Sequence, residues 1–324
     1  MNSVLEVTLS RINDTRVKSS VKNNGTDNIR FAHLNFFGSS APVKKISVFR
    51  ANTEIEFEGV KLHFGAVGLT KESITCLATG EIVEDEVDLA YTTDLSAGGP
   101  VLIKSEGTVP IVTDGNITGY ATYRSKALQL EIDGLKAAEK SRTLFRISHR
   151  RDYQCNSQSK DILMKAISTA SRLVSIASEM ALSSEETRFQ GYFHTTEEQK
   201  RMLVSSRFRA VANEAKSGSL ITYHCSDPYG LCTPNLIAYT WGYKNEIITC
   251  DRFYSQYPLL AKECDGADQA TTIIHELTHV PAVYGPATRD IAYGYDAATQ
   301  LAATEAVNNA DNYSFYSLAV ELQC

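Results

Sequence analysis

The residues best suited to chemistry lie in His275-Glu276-Leu277-Thr278-His279. Two histidines four apart on a helix share one face, about one turn from each other. Such a pair can grip one zinc ion, with Glu276 beside it as general base on a water that the zinc holds. The chemistry is metal-assisted hydrolysis, and it needs a third protein ligand while the fourth position stays open for water. Pro281 must end the helix soon after His279, leaving Val280 to Gly294 as a loop. No histidine follows His279, and the position six residues on is Gly285, so a third histidine is excluded. Two carboxylates remain. Glu305 lies 26 residues after His279 on an expected helix, whereas Asp290 lies 11 residues after it, where the loop can turn back over the metal. Asp290 is the better placed.

The run H-E-L-T-H followed by P-A-T-R-D-I-A-Y-G resembles the deuterolysin family, fungal aspzincin zinc endopeptidases in which H-E-x-x-H precedes G-T-x-D-x-x-Y-G. Thr288, Asp290, Tyr293 and Gly294 match that segment, and Ala287 replaces its first glycine. The resemblance implies His275, His279 and Asp290 as ligands of one Zn2+ per chain, with Glu276 as the base. It also implies an oxyanion donor three residues after Cys250, but Phe253 stands there, so the role passes to Tyr254 or, failing it, Tyr293.

The elements that must position these residues fall into two halves. From about Leu5 to Leu135 the chain alternates apolar and polar residues, as in V-L-E-V-T-L, K-K-I-S-V-F-R and A-L-Q-L-E-I, with turn signals between. Short strands with regular turns predict an antiparallel β-sandwich, in which His33 and His63 are ordinary, isolated residues. From Asp161 the periodicity is helical, with Ile162, Ile167, Leu173 and Ile176 as the apolar stripe. Further helices are expected at about 196–216, 268–280 (the motif) and 296–322, with a small sheet between Ser219 and Tyr254. The second half is therefore a mostly helical α+β domain, which the resemblance makes zincin-like and catalytic. Its boundary carries Arg150-Arg151, a pair that a kexin-like processing protease would cut. The expected organisation is a β-rich propeptide, 1–151, ahead of a zinc metalloprotease domain, 152–324.

Six of the seven cysteines lie in the second half and none has the C-x-x-C spacing of a structural zinc site, so a disulfide framework is expected. Six cysteines allow 15 pairings; the family resemblance implies Cys155–Cys225, Cys232–Cys250 and Cys264–Cys324. Cys76 is left over, either as a buried thiol in a sheet or as a thiolate that silences the zinc of a zymogen. The disulfides and four N-x-S/T triplets, at Asn13, Asn24, Asn116 and Asn312, point to secretion. Met1–Glu6 lacks the basic start and apolar stretch of a signal peptide, so the sequence is expected to begin after one was removed. No apolar run is long enough to span a membrane. Residues 152–324 carry 13 basic and 20 acidic side chains, net −7, against +1 for the rest. That suits basic protein substrates rather than nucleic acid.

The expected function is a secreted zinc metalloendopeptidase proenzyme. It hydrolyses protein or peptide substrates, prefers basic proteins, works as a monomer, and is restrained or helped to fold by its own propeptide. Two other readings are kept open: a secreted zinc-binding protein without turnover, and a non-enzymatic β-sandwich adhesion module.

Overall fold

A computed structural model describes residues 4–147, 155–184 and 186–324. Arg150 and Arg151 lie outside the described residues. The chain divides into two compact units, Met1–Leu62 with Ala66–Arg151, and Asp152–Cys324 with the tripeptide His63–Gly65.

The first unit is built on strand alternation. In Leu5–Arg11, the side chains of Leu5, Val7 and Leu9 point inward, and the antiparallel partner Arg16–Asn23 contributes Val17 and Val21. A seven-stranded sheet runs in the order Ile74–Leu77, Ile29–Ala32, Glu106–Thr113, Asn116–Ser125, Leu5–Arg11, Arg16–Asn23, Ile82–Asp88. A four-stranded sheet contains Leu128–Ile132, Gly99–Lys104, Ser47–Arg50 and Thr53–Glu54. Val48, Val101, Ile103 and Leu130 of the smaller sheet join Phe31, Val109 and Ala121 of the larger in one core. Two departures from the expected sandwich appear. Leu5–Arg11 pairs in parallel with Asn116–Ser125, so the larger sheet is mixed. The segment after Ile132 is a helix, Gly134–Ile147. Cys76 is exposed on its strand rather than buried.

The second unit is mixed α+β. Asn156 caps the helix Ser157–Met180 by accepting the Ser159 N–H at 2.8 Å. Its buried stripe is Leu163, Ala166, Ile167, Ala170, Leu173, Val174 and Ala177, while Ile176 is 39% exposed. Apolar bulk alone misplaces this face, because three of these seven residues are alanine. The next long helix, Glu198–Ser217, stops at Gly218, whose φ of 58° suits a residue without a Cβ and whose N–H bonds Glu214 O.

A small sheet follows. Leu236–Trp241, buried along its length, pairs antiparallel with Glu246–Thr249, which pairs in parallel with Thr222–His224. The strand Lys61–Phe64, whose His63 and Phe64 belong to this unit, lies on the other side of Leu236–Trp241. The expected single helix over 296–322 is broken into turns at Tyr295–Ala298 and Ala303–Ala306 before Ala310–Leu322. The backbone at 308–310 bonds a loop instead: Arg289 N–H donates to Asn308 O and Ala310 N–H to Arg289 O. Asn312 is fully buried, its amide donating to Tyr192 O and Ala298 O, so its triplet is no glycan acceptor.

Three disulfides join Cys155 to Cys225, Cys232 to Cys250 and Cys264 to Cys324. The last closes a stretch of 60 residues and ties the end of the terminal helix to the segment before the motif helix. Replacing both Cys264 and Cys324 with serine is expected to lower stability by roughly 2–5 kcal/mol, read as a lower midpoint in denaturant.

Candidate metal centre

The motif helix, Gln269–Thr278, is buried on every side. Asp268 starts it, accepting the Thr271 N–H at 2.7 Å, and Pro281 follows its end. One turn of this helix brings the two motif histidines together, with Nε2 atoms 3.1 Å apart. Asp290 completes the group, its Oδ1 lying 3.1 Å from His275 Nε2 and 3.0 Å from His279 Nε2. Imidazole nitrogens bound to one tetrahedral zinc at about 2.0–2.1 Å stand about 3.3 Å apart. Two imidazoles and a carboxylate at this spacing therefore fit a small divalent ion. Glu305, the other carboxylate considered, is exposed on the turn Ala303–Ala306 and takes no part.

Each of these groups is aimed by a partner. His275 Nδ1 faces Asp311 Oδ1 at 2.7 Å, and Asp311 Oδ2 accepts the Gly294 N–H at 2.7 Å. His279 Nδ1 meets Thr288 at its carbonyl (3.2 Å) and its hydroxyl (3.0 Å), and Thr278 holds that hydroxyl at 2.7 Å. The Asp290 loop is laid out by Asn309, whose Oδ1 accepts the N–H groups of Ile291 and Ala292. Buried Arg207 donates to Pro286 O at 2.7 Å and to Val307 O at 2.9 Å, pinning the loop to the chain that enters the terminal helix. Gly294 adopts φ 81°, which only glycine takes readily, whereas Ala287 is not among the residues at positive φ. Alanine at position 287 therefore introduces no backbone strain.

Glu276 is fully buried, and Thr240 of the strand Leu236–Trp241 donates to its Oε2 at 2.6 Å. Its Oε1 faces His63 Nδ1 at 3.2 Å, and the His63 ring stacks on that of His275 at 3.8 Å between centroids. His63 is thus no isolated sheet residue. The sequence gives it no signal, since it is a single histidine 213 positions from Glu276. Asp311 and Thr240 were equally invisible; the only hint for Asp311 is an acidic residue in the first turn of the terminal helix.

Burial opposes charge throughout the cluster, yet the balance favours it. Burial would lower the His275 imidazole, but the hydrogen bonds it donates to the Asp290 and Asp311 carboxylates outweigh this and push it up to about 10. Burial would raise the carboxyls of Asp290, Asp311 and Glu276, but the imidazoles beside them hold all three below the ordinary range. Three buried carboxylates make this a site that demands positive charge.

Tyr254 is elsewhere engaged. Its hydroxyl lies 2.6 Å from Thr249 Oγ1, its ring packs on Phe253, and burial pushes its phenol up to about 12. Tyr293 is buried on the same loop as Asp290, with its ring 4.2 Å from that of Phe64. Cys76 belongs to neither of the two possible metal-holding groups found among the described residues.

Two imidazoles, a carboxylate and an adjacent buried glutamate are the equipment of a metal-dependent hydrolase. The chain belongs to the deuterolysin metalloprotease (M35) family, whose profile matches residues 1–324. It is 50% identical over 323 residues to neutral protease 2 of Aspergillus oryzae, covering 99% of this chain and 92% of that one. It is 48% identical over 325 residues to penicillolysin of Penicillium citrinum, covering 99% and 93%. Among solved structures, a zinc peptidase from Grifola frondosa is similar at 24% identity and a TM-score of 0.44, covering 51% of this chain and 97% of that one.

Because Asp311 holds His275 from behind, Asp311→Asn should loosen metal binding about 10–100-fold while leaving the donor atoms in place. Competition against a chromophoric chelator measures this directly.

Proposed function

We propose that this chain is a secreted zinc endopeptidase made as a proenzyme, with residues 1–151 as propeptide, processing after Arg150-Arg151, and residues 152–324 as the protease. The observation that carries the reading is the convergence of His275 Nε2, His279 Nε2 and Asp290 Oδ1, with Glu276 next to them on the motif helix. These three residues would hold one Zn2+, and neutral imidazoles with a carboxylate are donors that zinc prefers. When bound, zinc supplies Lewis acidity that polarises the scissile carbonyl and makes water acidic enough to attack near neutral pH.

The rest is work for the side chains. Glu276 takes the proton of the attacking water and passes it to the departing amine. Thr240, bonded to the other carboxylate oxygen, fixes which oxygen faces the substrate. Asp311 and Thr288 keep the imidazoles of His275 and His279 in the orientation the ion needs. With the Tyr254 hydroxyl engaged by Thr249, Tyr293 is the better placed of the two tyrosines for the developing oxyanion. The net charge of −7 on residues 152–324 favours encounter with basic proteins. Membership of a metalloprotease family and the built site both weigh against an adhesion module.

Glu276→Gln separates chemistry from binding. Casein hydrolysis by the processed protein should fall about 10²–10⁴-fold while one zinc per chain remains, whereas His279→Ala should lose both metal and activity. A wild-type protein that binds zinc but leaves casein and histone intact, even after cleavage at Arg151, would instead be a zinc carrier.

A further inference from the structure

Arg207 comes from the helix Glu198–Ser217 and is fully buried. Its guanidinium reaches two segments that are distant in sequence. Nη2 donates to Pro286 O at 2.7 Å on the site loop, and Nη1 to Val307 O at 2.9 Å ahead of the terminal helix. Each segment also offers an aromatic face: the Tyr284 and Tyr313 ring centroids lie 5.0 and 5.1 Å from the central guanidinium carbon. Nη1 donates to the Tyr313 hydroxyl as well, which in turn donates to Val307 O at 2.8 Å. Nε has no hydrogen-bond partner, so the two terminal nitrogens alone make these bonds. Beyond this clamp the two segments run in parallel, joined by Arg289 N–H to Asn308 O at 2.7 Å and Ala310 N–H to Arg289 O at 3.0 Å. Pro286 lies four residues before Asp290, and Val307 four before Asp311. Those two aspartates meet the His275 ring at its two nitrogens, Asp290 at Nε2 (3.1 Å) and Asp311 at Nδ1 (2.7 Å).

We propose that Arg207 is a positioning residue of the metal centre: it sets the distance between the segments carrying Asp290 and Asp311, and through them the affinity for the ion. This rests on the zinc reading of His275, His279 and Asp290. A planar fork suits the task, because its two ends hold carbonyls on different segments while its faces take a ring from each. Lysine keeps the charge but ends in one nitrogen, without the fixed span. A buried cation is costly unless its donors are met, and here carbonyls of both segments meet them. Moving either segment away would strand the charge. The clamp thus opposes separation of the two aspartates without touching the ion.

The test uses the full 324-residue chain and its variants Arg207→Lys and Tyr284→Leu, with folding checked by circular dichroism. Competition against a chromophoric chelator should show zinc bound about 10–100-fold more weakly by Arg207→Lys. Tyr284→Leu, which removes one ring face and keeps the guanidinium, should weaken zinc in the same direction, and it decides the matter if Arg207→Lys does not fold. Cobalt(II) in place of zinc should give Arg207→Lys visible bands displaced from those of the wild type, since ligand geometry sets them. In an Asp311→Asn background, Arg207→Lys should cost less zinc affinity than it does alone, because one of its two routes to His275 is already lost. A role in stability only would lower the unfolding midpoints of the metal-free and zinc-loaded forms alike and leave zinc affinity unchanged. Wild-type zinc affinity in the folded variants would therefore overturn the proposal, as would a cost of Arg207→Lys that Asp311→Asn does not alter. Absence of stoichiometric zinc from the wild type would instead refute the zinc site on which it rests.

Discussion

The hydrogen bond between His275 and Asp311 is the contact on which the second unit turns. It joins the motif helix to the terminal helix at a depth where neither group could be charged alone. An unpaired buried carboxylate is costly, and losing one partner of a buried pair is worse than never having had it. Asp311 is therefore saturated, with His275 on one oxygen and the Gly294 amide on the other. That second bond carries the constraint onward, because the Gly294 amide lies at the end of the loop that presents Asp290. One carboxylate thus fixes the angle of one metal-facing imidazole and the position of the segment that brings the third donor.

The same economy explains the broken chain between Tyr295 and Ala310. A continuous helix over 296–322 would satisfy its own backbone and take these partners from the amides of Arg289, Ile291 and the buried Ala292. Instead Asn308, Asn309 and Ala310 spend their polar groups on the loop. Helical periodicity in the sequence cannot show this choice, since Asn309 serves a strand-like partner about twenty residues earlier. Alanine obscured the helix Ser157–Met180 in another way. Its small side chains carry little hydrophobic signal, yet they define the face by allowing close approach of the neighbouring helices.

What could be read directly was what local spacing determines. Two histidines four apart on a helix converge whatever surrounds them, and Pro281 bounds that helix by sterics alone. Asp290 was legible because a short loop can reach back only so far. Asp311, Thr240 and Arg207 were not, because their relation to the site is set by how elements pack, and no periodicity records it. His63 is the extreme case. It reads as one polar position in an alternating strand, and its chemistry comes wholly from what lies beside it.

The groups around the centre are held in different ways. His275, His279 and Asp290 are each buried and braced by residues of the motif helix, the site loop or the terminal helix. His63 is held by a ring stack on His275, a contact of 3.2 Å to Glu276 and its place in the strand Lys61–Phe64 beside Leu236–Trp241. None of the braces on the three donors passes through His63. The donor set therefore owes its rigidity to Asp311, Thr288 and Asn309, and a change at position 63 leaves those braces in place.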